Sequence, residues 1–207
     1  MGLIAKSGGA DYEPIPAGMH TAICFAVYDL GSHLEKGAGW EKVQRKVRIV
    51  WEIPELRIQI NGKDLPRAKM ADYTLTLNEK GKLRPMLEGW RGKPFTDEEL
   101  AGFDLEKLLG VACQILIVHN PGKNGTVYDN IQTIVPAPKG YKGKPENPLK
   151  FFSLDDGDSD LEGIPEKTKE KIMASQEWQK TDVAMPVVMD GDPAEEVTEE
   201  EDDNLPF

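Results

Sequence analysis

Cations and aromatic rings are the residues of this sequence whose types and spacing carry chemistry. Lys36 and Lys42 flank Trp40 in a segment that also holds Gly37 and Gly39. Arg45, Lys46 and Arg48 follow closely, and Arg57, Lys63, Arg67 and Lys69 extend the series. Lys123 sits in the Gly-rich stretch Asn120-Pro121-Gly122-Lys123-Asn124-Gly125, and Tyr73 and Tyr128 add two phenol rings. Repeated cations neutralise a polyanion, and exposed aromatic faces stack on planar rings, at about 1–3 kcal/mol per ring. Trp40 is the best stacking candidate, because a Trp among glycines has no evident core role. Trp51 shares a face with Val47 and Ile49 and is expected in the core.

Other chemistries lack their residues. His20, His33 and His119 are scattered without a two-ligand spacing, so no zinc site is expected. Asp158 to Gly163 resembles the start of a calcium loop. Lys169 stands where a bidentate Glu is required, and Pro165 interrupts the run. Gly122-Lys123 and Gly143-Lys144 lack the spaced glycine and the Ser or Thr of a phosphate loop. Asn124-Gly125-Thr126 fits a glycosylation acceptor, but a turn is the better reading. Glu52, Asp72 and Asp129 are isolated acids on strands, too few for a nuclease metal centre. No Ser-His-Asp or Cys-His arrangement emerges. No catalytic residue, metal or cofactor is expected.

Holding these side chains requires strands. Residues 18–28 place Met19, Thr21, Ile23, Phe25 and Val27 on one face. Residues 43–53 put Val43, Val47, Ile49, Trp51 and Ile53 on one side, with Gln44, Lys46 and Arg48 on the other, and Pro54 ends or edges the strand. Leu56 to Ile60 runs into Asn61-Gly62, a two-residue hairpin signal, and residues 68–77 return with Ala71, Tyr73, Leu75 and Leu77 alternating.

A helical insert follows. Asn78 caps a segment holding Leu83, Met86, Leu87 and Trp90, with Gly81 and Pro85 keeping it short. Thr96 to Glu99 forms a capping box, and a turn from Asp104 to Leu109 ends at Gly110. Strands resume at 111–119 and 126–135. The expected fold is mainly β: a five-stranded OB-fold barrel, a partly open Greek key, with a helical insert between strands 3 and 4. An all-β sandwich would not normally carry an insert of that length there.

The charge is divided along the chain. Residues 1–152 carry 21 Lys and Arg against 18 Asp and Glu, a surplus of +3; residues 153–207 carry 4 against 18, a deficit of -14; the total is -11. The expected division is a binding domain over 1–152 and an acidic, largely disordered tail over 153–207, with a linker composition at 136–150 and a short helix over 165–178. No apolar run approaches the roughly 18 residues of a membrane span, and the first residues lack the apolar stretch of a secretion signal. Lys6 stands where a myristoylation start wants Ser or Thr. Cys24 and Cys113, the two cysteines, lie in apolar strand-like runs and are expected as small buried hydrophobes in a reduced, cytoplasmic setting.

The final residues, Glu199-Glu200-Glu201-Asp202-Asp203-Asn204-Leu205-Pro206-Phe207, set an apolar aromatic behind five consecutive acids. Phe207 suits an apolar pocket rimmed by Arg or Lys, and Pro206 lowers the entropy lost on docking. Asp202, Asp203, Leu205, Pro206 and Phe207 are the candidate partner-binding residues.

This ending resembles the acidic tip of bacterial single-stranded DNA-binding proteins, with Leu205 for their Ile and Asn204 for one acid. The body resembles the phage-encoded branch of those proteins. The resemblance lies in its layout and in Lys82-Leu83-Arg84, Gly89-Trp90-Arg91-Gly92-Lys93-Pro94-Phe95 and Leu108-Leu109-Gly110. The resemblance implies a non-enzymatic protein that coats single-stranded DNA in replication or recombination, in a host cytoplasm if phage-encoded. It further implies a tail that recruits replication or recombination partners and covers the DNA groove when no DNA is present. DNA would cross the outer face of the second and third strands, and copies of the chain are a possible further partner. The alternatives are a metal-dependent nuclease or other DNA-processing enzyme, and a virion component with an acidic tail.

Overall fold

The structure, a computed structural model, describes residues 13–37, 39–60, 62–122, 125–156 and 160–183. Five long strands, β1 (Gly18–Gly37), β2 (Trp40–Ile60), β3 (Lys63–Thr74), β4 (Ala112–Pro121) and β5 (Val127–Pro136), form one sheet in the order β3-β2-β1-β4-β5. All neighbours on that path are antiparallel. A short β6 (Lys150–Phe152) runs parallel to β1 at Ala26–Tyr28, beyond the stretch where β4 pairs. The fold is therefore mainly β and the sheet is open. Among the described residues no ladder joins the edge strands β3 and β5 into a closed barrel.

Both faces of β1 are buried, which is why its simple alternation misleads. A register shift between Cys24 and Ala26 changes the phase of the strand. Ala22, Cys24 and Val27 enter the main core, and Ala26, Tyr28 and Leu30 enter a second cluster on the opposite face. Met19, placed by the alternation on one face with Ile23 and Val27, is exposed whereas those two are buried. Val43 is exposed as well, because the β1–β2 hairpin runs past the core, which begins at Val47. Pro54 does not end β2. Pairing with β1 stops at Glu52, and a bulge between Ile53 and Arg57 interrupts pairing with β3, so the missing Pro54 N–H costs no ladder bond.

The insert is α1 (Leu83–Arg91), α2 (Asp97–Ala101) and a 3-10 turn at Leu105–Leu108. Asn78 does not cap α1. Its side chain accepts from Lys80 N–H (2.9 Å) and its carbonyl from Gly81 N–H (2.9 Å), closing a turn before the helix. Pro85 falls in the first turn of α1, where backbone N–H groups have no intrahelical partner. Thr96 and Glu99 do form the capping box of α2. Leu83, Leu87 and Trp90 bury against Trp51, Ile49 and Ile115, with the two indoles 5.7 Å apart. Cys24 and Cys113 are buried and unpaired.

The helix expected over 165–178 is two helices, α3 (Glu166–Met173) and α4 (Gln176–Val183), and they pack on the sheet. Ile164 and Ile172 with Phe152 bury against Tyr28, Leu30 and Val50, and Trp178 flanks them. A boundary at residue 152 thus runs through continuously packed structure. Gly31, at φ +72°, lies so close to Ser175 that a Cβ would overlap it. The 136–149 connection is tied down by buried Glu52, whose carboxylate accepts from the backbone N–H groups of Glu146 (2.7 Å) and Asn147 (3.0 Å).

Candidate nucleic-acid interface

Where β2 and β3 leave the core they border a groove of about 680 Å3. Lys42, Arg45 and Lys46 line it from β2, Asp72, Tyr73 and Thr74 from β3, and Lys80 and Lys82 from the connection to α1. Strand pairing sets this cluster. Lys46 stands opposite Thr74, and its ammonium lies 3.2 Å from the Thr74 hydroxyl and 3.4 Å from Glu35. Arg45 is held by Asp29 and, at 2.9 Å, by Asp155. Lys42, Lys80 and Lys82 are exposed and have no ion pair among the described residues. Three free ammonium groups on one groove attract a polyanion, since exposed charges act through a Debye length of about 8–10 Å.

Among the described residues Asp72 is the one carboxylate lining the groove. Burial pushes its carboxyl up, but Arg48 (2.6 and 2.9 Å) and Lys171 of α3 (2.8 Å) outweigh that and hold it below the usual carboxylate range. It stays ionised and already neutralised.

The rings divide. Trp40, at 53% exposure, lies over Gly37, where a Cβ would collide with the indole. Tyr128, at 54%, lies over Gly122 in the same way near the tip of the β4–β5 hairpin. Glycine in each hairpin therefore makes room for a ring, and each ring-bearing residue stays about half exposed. Tyr73 packs against the main core, and burial raises its phenol to about 12, so it presents the groove with a neutral, partly covered ring.

Most of the remaining candidate cations are spent on the fold. Arg48 also donates to Thr168 of α3 (2.8 Å), so the outer face of β2 is covered there rather than open. Arg57 pairs with Asp64 (2.9 Å) and Glu146 (2.6 Å). Arg67 donates to the carbonyls of Glu13 and Pro14. Lys69 reaches across the open side of the sheet to Asp129 on β5 (2.9 Å). Lys36 pairs with Glu41 (3.2 Å) at the hairpin tip, and Lys63 is exposed beside the β2–β3 turn. Lys123, Asp202, Asp203, Leu205, Pro206 and Phe207 lie outside the described residues. Lys80 and Lys82 lie outside the sequence-derived binding set, since they sit in no strand-to-strand loop; the Lys-Gly-Lys run before a helix is the signal that marks them.

No group of three or more His, Cys, Asp or Glu side chains able to hold a metal occurs among the described residues. Glu52, Asp72 and Asp129 each answer to different partners. No described helix is long and apolar enough to cross a membrane. In comparisons with known proteins, no family model, no curated protein and no solved structure matches the chain.

Proposed function

We propose that this protein binds single-stranded DNA without sequence preference and acts, without catalysis, in phage DNA replication or recombination. The observation that carries the reading is the groove in which Lys42, Lys80 and Lys82 stand unpaired beside Arg45 and Lys46. Trp40 and Tyr128, each about half exposed, supply stacking platforms of the kind such binding needs. The strand order, the helix between β3 and β4 and the Lys69–Asp129 link between the sheet edges support an OB-type, partly open barrel. The acidic residues after α4 would compete with DNA for the groove, and Leu205 to Phe207 would recruit replication or recombination proteins.

The test is a titration of the full chain with oligo-dT, followed by Trp emission across salt. Binding should quench emission. Log K should fall with log salt by about 0.7 per phosphate neutralised, giving a slope near -2 from the three free lysines alone. Trp40→Ala should cost about 1–3 kcal/mol and most of the quenching. Replacing Lys42, Lys80 and Lys82 with Gln should remove most of the slope. Absence of binding, or binding indifferent to salt, sinks the proposal, and divalent-dependent cleavage of the DNA would favour the nuclease instead.

A further inference from the structure

A pocket of about 320 Å3 opens off the groove, between β3, the first turn of α1 and β5. Tyr73 and Lys82 line both spaces, so the two adjoin. Its volume is at the small end of ligand sites, which run from roughly 300 to 1,000 Å3. Tyr73, Pro85, Met86, Ile131 and Ile134 make apolar walls, and Gln132, Thr133 and Lys82 supply the polar groups.

The strand is bent to build it. Leu116 pairs with Thr133 and Ile117 with Ile131, which leaves Gln132 as the extra residue of a bulge on β5. In an unbroken strand Gln132 would point away from its neighbours, but the bulge lets four consecutive residues line one pocket. The side chains of Gln132 and Thr133 are exposed and have no hydrogen-bond partner among the described residues. A mainly apolar pocket that also carries an amide and a hydroxyl suits a nucleobase. The amide offers both a donor and acceptor, so each base finds a partner, and the Met86 thioether favours an aromatic ring. The alternative surface, the outer face of β1 and β2, is occupied by α3 and α4.

Building on the proposed single-stranded DNA binding, we infer that this pocket seats one unstacked base while the phosphates follow Lys42, Lys46, Lys80 and Lys82. The strand therefore runs through the cleft between the two sheet edges and not over the outer face of β2.

The experiment compares the full chain and its Gln132→Ala and Thr133→Val variants on oligo-dT and on an abasic strand of equal length. The parent should prefer oligo-dT. Each variant should weaken oligo-dT binding about three- to tenfold, the loss of one hydrogen bond, with unchanged salt slope, abasic affinity and melting temperature. Lys82→Gln should instead lower the slope by about 0.7 on both strands. If the parent prefers oligo-dT but neither variant weakens it, the pocket assignment falls and the DNA-binding reading stands. Equal parent affinity for both strands also overturns the pocket. If the parent binds neither strand, both readings fall.

Discussion

Lys69 shows how a residue of the right type can be committed elsewhere. Its ammonium is 2.9 Å from the Asp129 carboxylate, and that carboxylate also accepts from the Ile15 N–H (2.9 Å). Asp129 is 5% exposed. Removing Lys69 takes its close cationic partner from a buried carboxylate, so Lys69→Met should destabilise the protein by up to about 3 kcal/mol. Urea unfolding should show the midpoint fall at constant slope, while the salt slope of DNA binding stays at the parent value. A variant of parental stability with a shallower salt slope would return Lys69 to the interface. Sequence alone could not separate Lys69 from Lys42, because both are cations on strands. Only the approach of β5 to β3 supplies the carboxylate that claims one of them.

Between elements, the Arg48–Asp72–Lys171 cluster joins β2, β3 and α3. A carboxyl held below its unfolded value of about 3.9 stabilises the folded state above that pH, and the contribution disappears as pH falls through the folded value. Asp72→Asn should therefore lower stability at pH 7 and flatten its decline below about pH 4, read from urea midpoints across pH. An unchanged acid limb would show that Asp72 plays no part in it. The strands and the α2 cap were legible because alternation, Asn61-Gly62 and Thr96-Glu99 act locally. The docking of α3 and α4 was not, since the apolar residues Ile164, Ile172 and Trp178 do not by themselves name the surface they meet. For the same reason the second buried face of β1 erased the alternation that would have marked its core side. The groove was half legible: Lys42, Arg45 and Lys46 stood out, whereas Lys80 and Lys82 join them only through the turn that Asn78 closes.

For the whole molecule, the packed helices shift the charge division. Residues 1–180 carry 25 Lys and Arg against 26 Asp and Glu, whereas residues 181–207 carry ten acids and no Lys or Arg. The anchor of that acidic segment lies beside the groove. The Glu177 carboxylate of α4 accepts from the Ser32 N–H (2.7 Å) and hydroxyl (2.6 Å), and Ser32 is the cross-strand partner of Arg45. Tethered acids compete at an effective concentration on the order of millimolar. Removing residues 184–207 should therefore raise oligo-dT affinity about tenfold at low salt. The difference should shrink toward about 1 M, where the Debye length is about 3 Å. Equal affinities of the two chains at low salt would rule out this competition. The cut must fall after α4, because a cut at 152 also strips Ile164, Ile172 and Trp178 from the second core.

The tilted pair of indoles in the core and the exposed Trp40 equip the molecule with two optical reporters. Trp51 and Trp90, 5.7 Å apart and inclined at 53°, are close enough for their transitions to couple and give a paired circular-dichroism band that exists only while α1 sits on the sheet. Trp51 is fully buried and its ring N–H has no partner among the described residues, so its emission should fall at the blue end of the spectrum. Trp40, half exposed at the hairpin tip, should emit further to the red. Folding and strand capture can thus be followed in one sample at different wavelengths, without a label.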